Sequence, residues 1–254
     1  MKPLALSFSI LNAICSRLFG FQVHLHRRTG VEPLLDDALG RLQKHQIEIA
    51  TLIDVGASDG IWSKAFAHYF PGRQHLLVDA NEVHRPKLID VCSRYSNWRF
   101  ELTAVGPSNG TLYFDGSNPL VGHLAEIPLN ENYRPCPVTT LDRLVEKEGL
   151  SGPFMIKLDT HGVELPILSG ASETLKQTNA LVIEAYNLTW GGSAVPFWDL
   201  CQHLLGLGFR PLDLFDVLYR EVDSALWQMD LLFARSDLPL FQERRYSRQK
   251  VGST

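Results

Sequence analysis

The chain has no Cys-x-x-Cys pair. Its four cysteines, Cys15, Cys92, Cys136 and Cys201, stand far apart. That spacing excludes a zinc knuckle and a disulfide framework and fits free thiols in a reducing cytoplasm. An excess of positive charge is also missing: 24 Lys+Arg face 28 Asp+Glu, for a net charge of −4. A general nucleic-acid binder needs a basic footprint, so no nucleic-acid partner is expected. There is no internal repeat. There is also no uninterrupted apolar run long enough for a membrane span, because the run over 3–21 is broken by Asn12, Ser16 and Arg17. A small-x-small cleavage site is lacking too. Leu11, Ile14 and Leu18 fall on one helical face, so this segment reads as a packed arm or a homodimer contact. Contact with a membrane surface and a secretory signal are the lesser readings.

A full dinucleotide fingerprint is missing as well. Leu52-Ile53-Asp54-Val55-Gly56-Ala57-Ser58-Asp59-Gly60 reads as a buried strand, a glycine turn and a helix start. Counted from Gly56, the later glycine positions of G-x-G-x-x-G hold Ser58 and Ile61. A second strand, His75-Leu76-Leu77-Val78-Asp79, ends in an acid suited to ribose hydroxyls. A carboxylate at Asp54 beside the ligand would repel a pyrophosphate and attract a cation. The expected ligand is therefore S-adenosylmethionine, with a nicotinamide dinucleotide and a bare structural turn as alternatives.

What is present is an alternation of strands and helices. Helices are expected over 31–46, 60–69, 84–95, 141–147, 165–177 and 196–205, with Asp59 capping the second. Strands are expected over 50–55, 74–79, 98–105, 137–140, 154–159 and 180–185. A closing antiparallel pair follows over 209–218 and 226–234. Asn109-Gly110 predicts a hairpin between 98–105 and 111–114. The Gly-, Pro-, Asn- and Ser-rich segment 115–137 reads as a long irregular loop, part of an acceptor-site lid. This order predicts an α/β fold with a mostly parallel sheet.

Several pieces in order resemble the FkbM-type methyltransferases, which use S-adenosylmethionine to methylate macrolides and sugars. They are Ile53 to Gly60, Val78-Asp79-Ala80-Asn81, Thr140-Leu141-Asp142-Arg143-Leu144 and Ile156-Lys157-Leu158-Asp159-Thr160-His161-Gly162-Val163-Glu164. Leu168-Ser169-Gly170-Ala171 and Asp230-Leu231-Leu232-Phe233-Ala234-Arg235 complete the set. The resemblance implies a Rossmann-like class I methyltransferase fold: a mostly parallel seven-stranded sheet, an antiparallel C-terminal hairpin strand and helices on both faces. It divides the chain into a helical arm and lead-in helix over 1–46, a methyltransferase domain over 47–236 and a basic, flexible tail over 237–254. It implies cofactor contacts from Asp54, Gly56, Ala57, Ser58, Gly60, Asp79, Ala80, Asn81, Ala104 and Val105. One departure stands out: Thr160-His161 occupy the place of the family's commoner Val-Glu.

An alcohol acceptor needs a base near neutrality. His161, Asp159 and Glu184 are the candidate catalytic residues, with His161 or Asp159 as the base. The bland alternative is that Asp159 and Glu164 cap the following helix while Lys157 pairs with one of them. Asp159, His161 and Glu164 also offer divalent-metal donors, but nothing in the sequence shows that they converge, so no metal is assigned. Glu184-Ala185-Tyr186-Asn187 and Trp190-Gly191-Gly192 add polar and aromatic groups suited to a glycan or small-molecule acceptor. The expectation is an O-methyltransferase for a sugar, glycan or polyketide-like hydroxyl. An NAD(P)-dependent oxidoreductase and a non-catalytic S-adenosylmethionine-binding scaffold are the alternatives.

Overall fold

A computed structural model describes residues 34–119, 122–189 and 195–245. The expected arm over 3–21, the Trp190-Gly191-Gly192 turn and the end of the tail lie outside them. Among the described residues no helix is long and apolar enough to cross a membrane.

The central strands form where apolar residues cluster. These are β1 (Thr51–Val55), β2 (Gln74–Asp79), β3 (Trp98–Leu102), β8 (Phe154–Leu158) and β9 (Thr178–Tyr186). They pair in parallel, and β1 and β8 are buried along their whole length. Burial on both faces is why β1, β2, β8 and β9 are rich in apolar residues, whereas β3 at the edge alternates. The closing pair, β10 (Phe209–Tyr219) and β11 (Leu226–Arg235), adds an antiparallel edge. The sheet has seven strands in the order β10-β11-β9-β8-β1-β2-β3. This is the class I methyltransferase arrangement the sequence predicts.

Helices cover both faces. On one, α1 (Leu35–Lys44) and α2 (Ile61–Tyr69) pack Leu39, Leu42 and Phe66 against Leu52, Met155 and Val182. Leu238, Leu240 and Phe241 add to this side. On the other, α4 (Leu141–Glu148), α5 (Glu164–Ser169), α6 (Ser172–Lys176) and α7 (Phe197–Gly206) cover Ile53, Ile156, Leu181 and Phe233. α3 (Arg85–Ser93) closes the β2–β3 end through Leu88 and Val91.

Four local expectations are corrected. The strand over 98–105 divides at Thr103 into β3 and β4 (Ala104–Val105), and β4 belongs to another sheet. Thr103 makes the break by donating its N–H to Asp79 O at 2.9 Å and its hydroxyl to Pro137 O at 2.9 Å. Segment 115–137 is not an irregular loop. It supplies β6 (His123–Ala125) and most of β7 (Arg134–Thr139), which join β4 and β5 (Gly110–Asp115) in a four-stranded sheet ordered β4-β7-β5-β6. Pro135 and Pro137 hide β7 in the sequence, yet β4 pairs only with Val138 and Thr139, beyond both prolines. Because β7 lies between β4 and β5, Asn109-Gly110 makes no hairpin between them. Asn109 Oδ1 instead accepts from the Thr139 hydroxyl and the Thr140 N–H.

The fourth correction is the helix over 165–177, which breaks into α5 and α6. A Cβ at Gly170 would overlap the Gly106 carbonyl oxygen, so the chain turns there. Ala171, the residue before α6, offers no side-chain cap. The Asp142 carboxylate supplies it, accepting from Glu173 N at 3.1 Å, Thr174 N at 2.8 Å and the Thr174 hydroxyl at 2.7 Å.

His75, on β2, is 1% exposed, and both its ring nitrogens lack hydrogen-bond partners among the described residues. It stacks on Trp98 at 3.9 Å, and burial pushes its pKa down to about 3. The folded state therefore excludes a proton that the unfolded chain takes up below about 6.5. Stability is full above that value, falls as pH drops through it and levels off near the folded pKa. At pH 5 the loss is about 2 kcal/mol. His75→Phe is expected to shrink the difference in unfolding free energy between pH 8 and pH 5 by about that amount in urea titrations. An unchanged difference would clear His75 as the acid-sensitive group.

Candidate active site

The parallel strands end on one side of the sheet, where an open α/β fold binds its ligands. There the chain forms a cavity of about 700 Å³. Its floor begins at Gly56, which has φ +79° and lies so close to Asp159 that a Cβ would overlap the Asp159 carbonyl oxygen. Only glycine fits both demands. Ser58 takes φ +50° and donates its N–H to Asp79 Oδ2 at 2.8 Å. Asp79 Oδ1 accepts the Asn81 N–H at 2.7 Å, and Asn81 Nδ2 reaches Gly116 O at 3.1 Å. The acid ending β2 thus fixes the loops on both sides of it.

Gly56, Ser58, Asp79, Ala80, Asn81, Ala104 and Val105 line the cavity, and so do Asp159, His161 and Glu184. Asp54, Ala57 and Gly60 do not. Asp54 is fully buried, accepts the Ser63 hydroxyl at 2.6 Å and lies 3.7 Å from Lys157 Nζ. Its expected place beside a cationic ligand is corrected: α2 covers that face of the strand. Ala57 is buried in the core under α3. Gly60, at φ +72°, is the cap residue of α2 and packs toward Leu77 and Val91. Asp59 helps the same turn, accepting the Ile61 N–H at 3.3 Å.

Lys157 is 4% exposed and also contacts Asp159 Oδ2 at 2.9 Å. Burial opposes its charge, but Asp54 and Asp159 outweigh burial and hold its pKa above the ordinary lysine value. Burial likewise works against the Asp159 carboxylate, and Lys157 overcomes it, keeping the group below its usual range. Glu164 turns away from this cluster. It accepts the Gly162 N–H at 2.9 Å and the Thr160 hydroxyl at 3.1 Å, which braces the loop before α5 without capping the helix itself.

His161 stands at φ +55°, followed by Gly162 at φ +104°. Its Nδ1 lies 2.8 Å from Tyr186 Oη and 3.0 Å from Glu184 Oε2. Tyr186 Oη is also in close contact with Glu184 Oε2, and Gln228 Nε2 with Glu184 Oε1. Asp159, His161 and Glu184, rather than Glu164, are the donors that converge, all within 4.8 Å of one another. Their donor atoms are engaged by Lys157, Tyr186 and Gln228, a pattern that fits a hydrogen-bonded network rather than a metal's ligand set.

The sequence reading put 115–137 over the acceptor site but named neither the second sheet nor any residue of it in the cavity. Phe114, Leu124 and His123 line it from β5 and β6, and Leu129 and Tyr133 from the loop before β7. For all of these except Phe114 the signal was the irregular composition of 115–137. Gln228 carried no signal at all.

A family model described as the methyltransferase FkbM domain matches residues 54–211. No curated protein matches the chain. Among solved structures, a putative tRNA (m1A22) methyltransferase of Streptococcus pneumoniae is 13% identical, with TM-score 0.45, over 78% of this chain and 69% of that one. The N-methyltransferase NodS of Bradyrhizobium japonicum is 11% identical, with TM-score 0.45, over 80% and 94%. An O-methyltransferase family protein of Burkholderia thailandensis is 11% identical, with TM-score 0.40, over 80% and 57%.

Replacing Lys157 by Met would leave Asp54 and Asp159 facing each other without a counter-charge. The expected cost is about 3–5 kcal/mol of folding stability, partly restored by adding Asp54→Asn. Denaturant midpoints of the single and double variants measure this. A cost below about 1 kcal/mol would remove Lys157 from its central place.

Proposed function

Because this chain belongs to the FkbM methyltransferase family, we propose that it transfers a methyl group from S-adenosylmethionine to a hydroxyl oxygen of a sugar, glycan or polyketide-like small molecule. The observation that carries this reading is the His161–Glu184 pair in the cavity beside Asp159 and Asp79.

The residues present fit the methyl donor. Each Asp79 oxygen accepts one backbone N–H, and a carboxylate offers about four acceptor sites. Two sites remain for the paired hydroxyls of a ribose. Ala104 and Val105 would flank the adenine side. Asp159, ionised beside Lys157, takes the place first expected of Asp54 and would face the sulfonium. When bound, S-adenosylmethionine supplies a methyl group on a positively charged sulfur that leaves as a neutral thioether.

The protein's own tasks are then positioning and proton removal. In-line attack gains most of its rate from held geometry. His161 Nε2 would take the acceptor's proton as the oxygen attacks, and Glu184 would steady the imidazolium. Phe114, Leu124, Leu129 and Tyr133 give the cavity an apolar and aromatic side suited to a sugar ring or a polyketide chain.

Isothermal titration with S-adenosylmethionine and its demethylated product tests the donor site. Wild type is expected to bind both, and Asp79→Ala to lose at least tenfold in affinity for each. With a hydroxyl acceptor found by screening, His161→Ala should lower kcat by about 10²–10⁴ with donor affinity unchanged. Full turnover in His161→Ala, or methylation of amines in place of hydroxyls, would refute the proposed chemistry.

A further inference from the structure

Glu184 and Tyr186 are two residues apart on β9, and Gln228 is the cross-strand partner of Tyr186 on β11. This register places a phenol and an amide on either side of one carboxylate. Tyr186 contacts Oε2 and Gln228 contacts Oε1, so each oxygen receives one neutral donor. The His161 ring reaches the same carboxylate from the loop after β8 through Nδ1.

The phenol has one proton and two nearby acceptors, the carboxylate and Nδ1. A charge-assisted bond to a carboxylate is the stronger of the two. Burial, reinforced by Glu184, raises the Tyr186 pKa, so the phenol keeps that proton. With the phenol proton on Glu184, a bare lone pair on Nδ1 would point at two oxygens, 2.8 and 3.0 Å away. Nδ1 must therefore be the donor.

We infer that Tyr186 and Gln228 are positioning residues. They hold the Glu184 carboxylate and fix neutral His161 as its Nδ1–H tautomer. This deepens the proposed base role of His161 and rests on it for its catalytic meaning. By sharing the charge of Glu184, the two donors also limit its pull on the imidazole, so the ring stays neutral and ready to act. The arrangement goes with the His161 departure, since a carboxylate at that position would have no tautomer to fix.

The other charged groups around the cluster are Asp159 and Lys157 from β8, Glu164 from α5 and Asp230 from β11. His123 of β6 lines the same cavity. Tyr186→Phe leaves all of them in place and keeps the buried ring. Without the phenol, Glu184 turns wholly to Nδ1–H and favours the imidazolium.

The test is long-range 1H–15N spectroscopy of the histidine side chains in the full chain, titrated with pH and assigned with His161→Gln. Wild-type neutral His161 is expected to carry its proton on Nδ1. Tyr186→Phe is expected to raise the His161 midpoint by about one pH unit, and Gln228→Leu to raise it in the same direction. A neutral ring protonated at Nε2, or a midpoint that does not rise in Tyr186→Phe, would overturn the inference. No methyl donor or acceptor is needed, so this outcome is separate from the methyl-transfer reading. Where turnover is measured, the acidic limb of kcat/KM should follow the spectroscopic midpoint. A limb that stays put while the midpoint moves refutes His161 as the base and leaves the tautomer lock standing.

Discussion

Lys157 reaches Asp159 at 2.9 Å and Asp54 at 3.7 Å, with its ammonium almost wholly removed from water. Two carboxylates on neighbouring strands share this one cation. A buried charge is tolerable only when it is paired, so each of the three depends on the others being ionised. The dependence spreads outward. Asp159 donates its N–H to Val55 O at 3.0 Å, and its carbonyl lies against Gly56. Gly56 begins the turn that carries Ser58 to Asp79. The proposed donor cradle and the proposed acceptor chemistry therefore lean on one ion pair beneath them.

From the core to the cavity the polar groups change character. Asp54, Lys157 and Asp159 form a buried ion-pair set in which Lys157 and the two carboxyls offset the cost of burial for each other. His161, Glu184, Tyr186 and Gln228 form an outer set linked by neutral and charge-assisted hydrogen bonds. Fixed charges suit the holding of a cationic donor. A hydrogen-bonded histidine suits a proton that must leave and return. Asp159 and His161 sit two residues apart on one strand end, so a short piece of chain meets both needs.

The parts of the fold legible in the sequence are those set by local pattern. β1 and β8 are apolar runs interrupted only by Thr51, Asp54 and Lys157, and Asp79 and Gly56 sit where a strand must end and turn. Asp54 was misplaced because alternation shows which face a side chain takes, not what covers that face. Here Ser63 and Trp62 of α2 cover it, and contacts across a helix leave no local trace. The second sheet was hidden because Pro135 and Pro137 read as breakers unless it is known that β7 pairs there with β5 alone and meets β4 only beyond them. Asn109-Gly110 has hairpin chemistry, but its side chain is committed to Thr139 and Thr140. Gln228 matters only through its register with Tyr186, which a single strand's pattern cannot reveal.

Asp142 belongs to α4, yet its carboxylate completes the first turn of α6. α6 is five residues long, too short to hold itself together in water. It acquires its shape only once α4 has docked beside it. Gly170 tightens the link by accepting the Asp142 N–H at 3.2 Å while pressing on Gly106 at the end of β4. The two helices and the root of the small sheet are thus one cooperative unit that opens and closes to solvent together. The small sheet's half of the cavity is as durable as that unit, whose joint at Gly170 lies one short helix along the chain from His161.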